Sequence, residues 1–198
     1  MMHKTERIMS STIHILGFAG SLRQKSYNKA LLRVAREYLP EDAELEIIGL
    51  DDIPLFNEDL VPDPPQPVLA FKEKIAAADA LLIAVAEYNY SVSGVLKNAI
   101  DWAAWPIATT PLKGKLAAIM GTGGRFGTVR AQLNLRQTLL YTDTRVLLKP
   151  EVYIEKNWEK FDSEGNLTDQ HARQSIKALV TALMQTARTE KATTLVNG

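Results

Sequence analysis

The feature that most constrains this chain is a regular alternation of short apolar runs with longer segments of helical periodicity. The clearest run is 80–86, which contains only apolar residues. A strand without a polar face is buried on both sides, and such strands belong to parallel sheets that helices cover. The other candidate strands are 13–18, 44–50, 115–121 and 145–148, and the candidate helices are 29–39, 68–78, 94–105, 128–141 and 168–188. The alternation predicts an α/β protein.

Five strands in this arrangement favour the flavodoxin-like order 2-1-3-4-5, with helices on both faces of a five-stranded parallel sheet. We expect a single domain over residues 12–188, with disordered tails at 1–11 and 189–198. In such sheets, ligands bind beyond the carboxyl ends of the strands, next to strand 1. This rule selects the loops at residues 20–28, 86–94 and 121–128.

The first loop joins an apolar strand to a helix and is rich in hydrogen-bond donors. The free N–H groups and the positive dipole end of a helix start favour an anion. Ser21, Ser26 and Asn28 can donate to phosphate oxygens, and Arg23 adds a planar cation. The alternative is an ordinary helix cap at Ser26 or Asn28, with Arg23 in solvent. No Gly-Lys-Ser/Thr sequence follows, which disfavours a nucleoside triphosphate.

The second loop follows the most apolar strand and combines aromatic with polar side chains. Its first residues are Glu87, Tyr88, Asn89 and Tyr90. Tyrosine rings offer stacking surface, and Asn89 with the backbone amides can read the polar atoms of a flat heteroaromatic ring. A tyrosine-containing turn packed on a neighbouring element is the alternative. In the helix that follows, the spacing of Lys97 and Asp101 predicts a surface ion pair, which gives Lys97 a structural role.

The third loop is rich in glycine and lies between a strand and a helix, as a dinucleotide fingerprint does. Its spacing, Gly121-x-Gly123-x-x-x-Gly127, is one residue too long for that fingerprint. Asp143 precedes the fifth predicted strand, whereas a ribose-binding acid should end the strand after the loop. We therefore reject a Rossmann dinucleotide site and expect the loop amides to approach a ligand edge closely. Arg125 is either a surface charge or a contact for a phosphorylated second substrate.

Composition narrows the possible functions. The 23 basic and 23 acidic side chains cancel, which argues against nucleic-acid binding. No apolar run reaches the roughly 20 residues of a membrane span, and the first residues lack a signal-peptide core, so we expect a cytoplasmic protein without a membrane partner. There is no cysteine, and the 3 histidines lack metal-ligand spacing, so we expect no metal site. An enzyme with so few acid–base groups would depend on a bound cofactor.

Two motifs, in this order and at this separation, resemble the NADPH-dependent FMN reductase family, which includes bacterial chromate and quinone reductases. The first motif is Gly20-Ser21-Leu22-Arg23-x-x-Ser26-x-Asn28, and the second runs from Glu87-Tyr88-Asn89-Tyr90 through Gly94 to Lys97-Asn98-Ala99-Ile100-Asp101-Trp102. The resemblance extends over about residues 12–185. The family usually has proline before the Glu-Tyr-Asn sequence, where this chain has Ala86. The change removes a residue with fixed φ but no ligand atom.

The resemblance implies a flavodoxin-like fold with noncovalently bound FMN. It also implies that no side chain is catalytic, because the flavin carries the hydride chemistry. By position, Ser21, Arg23, Ser26 and Asn28 would hold the FMN phosphate; Glu87, Tyr88, Asn89 and Tyr90 would line the isoalloxazine; and Thr122, Gly123 and Gly124 would flank the ring from the other side.

The activity that the resemblance implies is ping-pong hydride transfer from NADPH or NADH through FMN to quinones, chromate, azo compounds or free flavin. Arg125 is the candidate for the phosphate of the dinucleotide. Family members are commonly homodimers or homotetramers. Whether FMN is a retained cofactor or a substrate that the protein releases stays open. So do two other functions: a flavodoxin-like electron carrier without its own NAD(P)H oxidation, which the neutral charge disfavours, and a flavin-free binding or regulatory module.

Overall fold

The computed structural model describes residues 12–197 and centres on one parallel sheet. The strands are β1 (Ile13–Ala19), β2 (Ala43–Ile48), β3 (Ala80–Ala84), β4 (Glu87–Tyr88), β5 (Ser91–Val92), β6 (Leu116–Thr122), β7 (Arg145–Val146) and β8 (Val152–Ile154). The α-helices are α1 (Tyr27–Arg36), α2 (Gln66–Ala77), α3 (Gly94–Ala104), α4 (Val129–Tyr141), α5 (Asn157–Lys160) and α6 (Gln170–Asn197). The tail predicted at residues 1–11 lies outside the described residues.

The main sheet has the order β2-β1-β3-β6, and its fifth position is shared by β7 and β8. β7 pairs with the start of β6, where Arg145 is opposite Leu116, and β8 pairs with its end, where Val152 is opposite Met120. The predicted order is confirmed. The prediction of one continuous fifth strand at 145–148 was wrong, because Pro150 has no N–H to donate to a ladder and the chain leaves the sheet before it returns as β8.

The apolar run 80–86 contains β3, whose residues are all buried. Its side chains alternate between two cores, which explains why the run has no polar face. Ala80, Leu82 and Ala84 pack in the core under α1 and α6. Leu81 and Ile83 pack in the core under α2, α3 and α4. Burial of each large apolar side chain contributes about 1.5–3 kcal/mol to the free energy of folding, so β3 stabilises both cores.

The closing helix is longer than the sequence indicates. It begins at Gln170, two residues after the predicted start, and the Asp169 carboxylate caps it by accepting a hydrogen bond from the N–H of Ala172 at 2.8 Å. The prediction that it ends at Arg188 was wrong, since α6 continues through Asn197. Charged side chains near this end bind residues that immediately precede strands. Arg188 pairs with Asp42, before β2, and Lys191, on the extension, pairs with Asp79, before β3, at 2.8 Å.

The loop between β2 and α2 is held by α3. The indole N–H of Trp102 donates to the carbonyl of Pro54 at 2.8 Å, and the Asn98 amide donates to the same carbonyl at 2.8 Å. Trp102 therefore belongs to the core of this chain. Lys97 and Asp101 form the expected ion pair at 2.7 Å. Among the helices of the described part, none has both the length and the apolar character of a membrane-spanning segment.

Candidate functional site

The loops selected from the sequence converge on one cavity of about 220 Å³ at the carboxyl edge of the sheet. Nine of the predicted site residues line it: Ser21, Arg23, Ser26, Asn28, Glu87, Tyr88, Thr122, Gly123 and Gly124. Three lie outside its lining: Asn89, Tyr90 and Arg125. Strand order explains the convergence, because β1, β3 and β6 are adjacent and parallel, so their carboxyl ends meet at one edge.

Ser21 and Ser26 line the cavity although their residues are only 7% and 4% exposed. Ser26 is also the N-cap of α1, where its Oγ accepts from the N–H of Lys29 at 3.4 Å. A hydroxyl group has one donor and two acceptor positions, so this cap leaves the O–H free to donate to a ligand. The helix-cap and anion-site interpretations of this loop are therefore compatible.

Asn28 joins the first loop to the third. Its side-chain amide donates to the carbonyl of Thr122 at 3.1 Å and accepts from the N–H of Thr122 at 2.9 Å. The Thr122 hydroxyl in turn donates to the carbonyl of Ile154 at 3.0 Å. Because the Asn28 oxygen and one of its N–H groups are used in this way, the structure gives Asn28 a positioning role between α1 and β6. The second N–H of the Asn28 amide is not used in these two bonds, so the phosphate contact expected from the sequence stays a prediction.

Arg23 lies at the exposed rim of the cavity, in the same loop as Ser21 and Ser26. Its Nη2 donates to the carbonyl of Lys25 at 2.7 Å, and its guanidinium carbon lies 5.6 Å from the centre of the Tyr27 ring. The Tyr27 ring is stacked on Phe161 with the centroids 4.3 Å apart. These contacts hold a cation beside the two buried hydroxyls, so this end of the cavity can bind an anion.

The second loop is a β-hairpin made by β4 and β5. Asn89 and Tyr90 occupy its tip with φ of 51° and 65°, as the two central residues of a type I′ turn require. The turn separates the two tyrosines: Tyr88 lines the cavity and is 56% exposed, whereas Tyr90 lies over the guanidinium of Arg130. Of the two tyrosines of this hairpin, Tyr88 is therefore the one available to a ligand in the cavity.

Glu87 lines the cavity, but its carboxylate is engaged by α4. Oε2 accepts from the N–H of Ala131 at 3.0 Å, and Oε1 lies 3.5 Å from Nη1 of Arg130. The Oγ1 of Thr128, the N-cap residue of α4, accepts from the Gln132 side chain and not from a backbone N–H of the helix start, so Glu87 supplies the missing acceptor. This carboxylate fixes the hairpin to α4 and neutralises the helix start.

The third loop packs tightly at one glycine and is open at the next. A Cβ on Gly123 would lie 2.3 Å from the carbonyl oxygen of Gly127, so only glycine fits there. A Cβ on Gly124 would meet no atom within 4 Å, so this residue leaves the backbone accessible from the cavity. Beyond it, Arg125 and Phe126 are exposed. The loop can therefore approach a ligand with its backbone.

The cavity contains two further polar residues that the sequence argument did not assign. Asn157 enters through β8 and α5, and its N–H donates to the carbonyl of Gly123 at 3.1 Å. The alternation in Val152-Tyr153-Ile154 is a sequence signal of β8, but three residues are too few to identify a strand. Tyr27 also lines the cavity and stands inside the first motif, between Ser26 and Asn28.

Comparison with known proteins identifies close relatives over most of the chain. Residues 13–159 match the family model described as NADPH-dependent FMN reductase. An NAD(P)H-dependent FMN reductase of Pseudomonas aeruginosa is 50% identical over 177 residues, which are 88% of this chain and 95% of the relative. An NAD(P)H:quinone oxidoreductase of Solanum tuberosum is 40% identical over 182 residues, 88% of this chain and 93% of the relative.

A solved structure with clear sequence similarity to this chain has the same fold. It is the flavoenzyme FerB, an NAD(P)H:(acceptor) oxidoreductase from Paracoccus denitrificans, with a TM-score of 0.81 and 34% identity. The match covers 90% of this chain and 98% of FerB. A 2-hydroxy-1,4-benzoquinone reductase of Burkholderia is 38% identical over 162 residues, 81% of this chain and 88% of the relative.

Proposed function

This chain belongs to the NADPH-dependent FMN reductase family, and from that premise we propose that FMN binds in the cavity at the carboxyl edge of the sheet. The chain is an NAD(P)H-dependent reductase of the FMN and quinone reductase group. We propose quinones as its main acceptors, with chromate, azo compounds and free flavin as further acceptors of the same open site.

The observation that carries the cofactor proposal is the donor set at the start of α1. Two buried hydroxyls, on Ser21 and Ser26, share the cavity with Arg23 and the helix N-terminus. Two neutral donors, one cation and the positive end of a helix dipole suit the dianionic phosphate of FMN. Tyr88 and the accessible backbone of Gly124, which line the same cavity, offer stacking and hydrogen bonding to the ring.

When bound, FMN supplies two-electron hydride chemistry that no side chain of this protein provides. In the overall reaction, NAD(P)H becomes NAD(P)⁺ and gives up a hydride, that is, two electrons and one proton. The quinone takes up two electrons and two protons and becomes a hydroquinone, so the second proton comes from solvent. The chain contributes binding and orientation, and the exposed ring of Tyr88 borders an entrance that donor and acceptor use in turn.

Two finer features of the family are proposed for this chain. Arg125, exposed beside Gly124 at the cavity rim, is the candidate contact for a phosphate of the dinucleotide. A homodimer or homotetramer would cover the apolar side chains that α4 exposes. These are Leu133, Leu140 and Tyr141, and Leu140 is 76% exposed. Their burial against a second copy would remove apolar surface from water.

The experiment that tests the proposed function is an anaerobic reduction of the FMN-loaded protein. The protein should keep its flavin absorbance through desalting, lose it on addition of NADPH or NADH, and regain it when a quinone is added. A colourless protein whose unfolding temperature does not respond to FMN would contradict the cofactor proposal. Bleaching that requires an added reductase would instead identify an electron carrier.

A further inference from the structure

Beside the cavity lies a second surface that the proposed function does not use. The guanidinium carbon of Arg130 is 4.1 Å from the centre of the Tyr90 ring and 4.6 Å from the centre of the Phe126 ring. Both rings are more than half exposed, with Tyr90 at 70%. We name these three residues the Arg130 platform. Contact with two rings restricts the guanidinium to one position and removes part of its hydration.

The charge of Arg130 is incompletely compensated. Its carboxylate partner, Glu87, lies 3.5 Å away, the longest of the ion pairs among the described residues. The same carboxylate also accepts the N–H of Ala131 at 3.0 Å, so it divides its charge between Arg130 and the start of α4. Arg125, which precedes Phe126 on the glycine-rich loop, adds a second cation. In a chain of zero net charge, this leaves a positive surface at one edge of the cavity.

Chain connectivity places the platform at the entrance of the cavity. Glu87 both lines the cavity and contacts Arg130. Tyr90 is two residues from Tyr88 in the same hairpin, and Phe126 is two residues from Gly124; both Tyr88 and Gly124 line the cavity. A planar molecule that extends from the cavity past Glu87 would therefore meet the guanidinium and the two rings of the platform.

We propose that the Arg130 platform binds the anionic substituent of planar aromatic acceptors, which makes the enzyme selective for quinones that carry a sulfonate, carboxylate or ionised hydroxyl. This inference rests on the proposed function. The guanidinium donates charge-assisted hydrogen bonds to such a group, and the flanking rings limit competition from water. A neutral quinone gains the aromatic contacts but not the ionic one.

The first test measures the acceptor half of the reaction alone, so that dinucleotide binding does not enter. FMN-loaded protein is reduced with one equivalent of dithionite, without a dinucleotide, and mixed in a stopped-flow instrument with 1,4-naphthoquinone-2-sulfonate or with 1,4-naphthoquinone. The variants are Arg130→Gln, Arg130→Lys and, as matched control, Arg33→Gln. Arg33 is an exposed arginine on α1 that borders a different cavity.

We expect Arg130→Gln to lower the rate constant for the sulfonated quinone about tenfold and that for the parent quinone less than about twofold. Arg130→Lys keeps most of the sulfonate rate, and Arg33→Gln changes neither. The ratio of the two rates cancels the different reactivities of the quinones. An unchanged ratio in Arg130→Gln overturns the platform proposal while the proposed function stands. If the wild-type protein reduces neither quinone, the result contradicts the proposed function itself.

The second test uses the wild type and a redox-inert probe, so it does not depend on how a variant folds. Calorimetry with the oxidised, FMN-loaded protein compares naphthalene-2-sulfonate with 2-naphthalenemethanol. We expect the sulfonate to bind more tightly and to lose affinity as salt is raised, and the alcohol to be insensitive to salt. Equal affinity of the two probes, or a sulfonate affinity that salt does not change, overturns the proposal.

Discussion

The two ends of the cavity are built in different ways. At the end formed by the start of α1, the residues Ser21, Ser26, Asn28 and Thr122 are buried. The side chain of Asn28 bonds to β6, and that of Thr122 bonds to β8. At the end formed by the β4–β5 hairpin and the glycine-rich loop, Tyr88, Tyr90 and Phe126 are exposed. We call these the buried end and the open end.

The difference shows how one cavity can be selective for its cofactor and tolerant of its acceptors. Buried donors are costly to leave unpaired, so a site that contains them discriminates strongly against a ligand that lacks the matching group. Exposed rings lose little when a partner is absent and accept many planar molecules. We therefore assign cofactor retention to the buried end and acceptor choice to the open end.

The largest effect should follow from breaking the buried end at Asn28. Asn28→Ala removes two hydrogen bonds and leaves the buried N–H and C=O of Thr122 without this partner. We expect a loss of about 2–4 kcal/mol in the free energy of unfolding and weaker FMN binding, measured by urea denaturation and by quenching of flavin fluorescence. Asn28→Asp separates the two roles, since it retains an acceptor for Thr122 but adds a negative charge. Unchanged stability in Asn28→Ala would contradict the positioning role.

The next effect distinguishes phosphate binding from ring binding. Replacing Ser21 and Ser26 by alanine should weaken FMN about ten- to a hundredfold, while riboflavin binding changes less than about threefold. Ser26→Asp is the matched control, because aspartate caps a helix as serine does but repels a phosphate. It should preserve the unfolding temperature and still weaken FMN. Equal losses of affinity for FMN and riboflavin would contradict the assignment of the phosphate to this end of the cavity.

A smaller effect is expected at the open end. Tyr88→Ala should lower kcat/KM for quinones about three- to tenfold through lost stacking, with little change in FMN affinity or in unfolding temperature. Leu148→Ala removes an exposed apolar side chain that lies outside the cavity lining and outside α4, and it serves as the control. If Tyr88→Ala releases FMN as strongly as the Ser21 and Ser26 changes do, the division between the two ends is wrong.

The smallest effect concerns pH and the segment that carries Asn157. Hydrogen bonds from Lys160 and from the N–H of Ala172 hold the pKa of Asp169 below its ordinary value of 3.8. A carboxyl group with a lowered pKa in the folded state stabilises the fold above that ordinary value, and the contribution is lost as pH falls through the folded-state pKa. Asp169→Asn should lower the unfolding midpoint by about 2 °C near neutral pH and by less at about pH 3.5. A larger effect at the acid pH would contradict this assignment.

Sequence reasoning located the buried end better than the open end. Ser21, Ser26 and Asn28 are close in sequence, and a strand followed by a helix places such residues at one edge of the sheet. The role of Asn28 was not predictable, because its partner Thr122 is distant in the chain and the contact depends on how closely β6 and α1 approach.

At the open end, the sequence did not indicate that Tyr88 lines the cavity while Tyr90 lies outside its lining. That separation follows from the left-handed backbone of Asn89 and Tyr90, which turns the hairpin so that Tyr90 meets Arg130. β8 was missed because three residues after a proline carry too little periodicity to identify a strand. Its pairing with β6 decides that Asn157 reaches the cavity.

The most direct test of the central claim is calorimetric titration of the cofactor-free wild-type protein with FMN and with riboflavin. The two ligands share the ring and the ribityl chain and differ only in the phosphate. If the buried end at Ser21 and Ser26 holds the phosphate, FMN should bind at least about a hundredfold more tightly than riboflavin. Equal affinities for the two ligands would contradict the account.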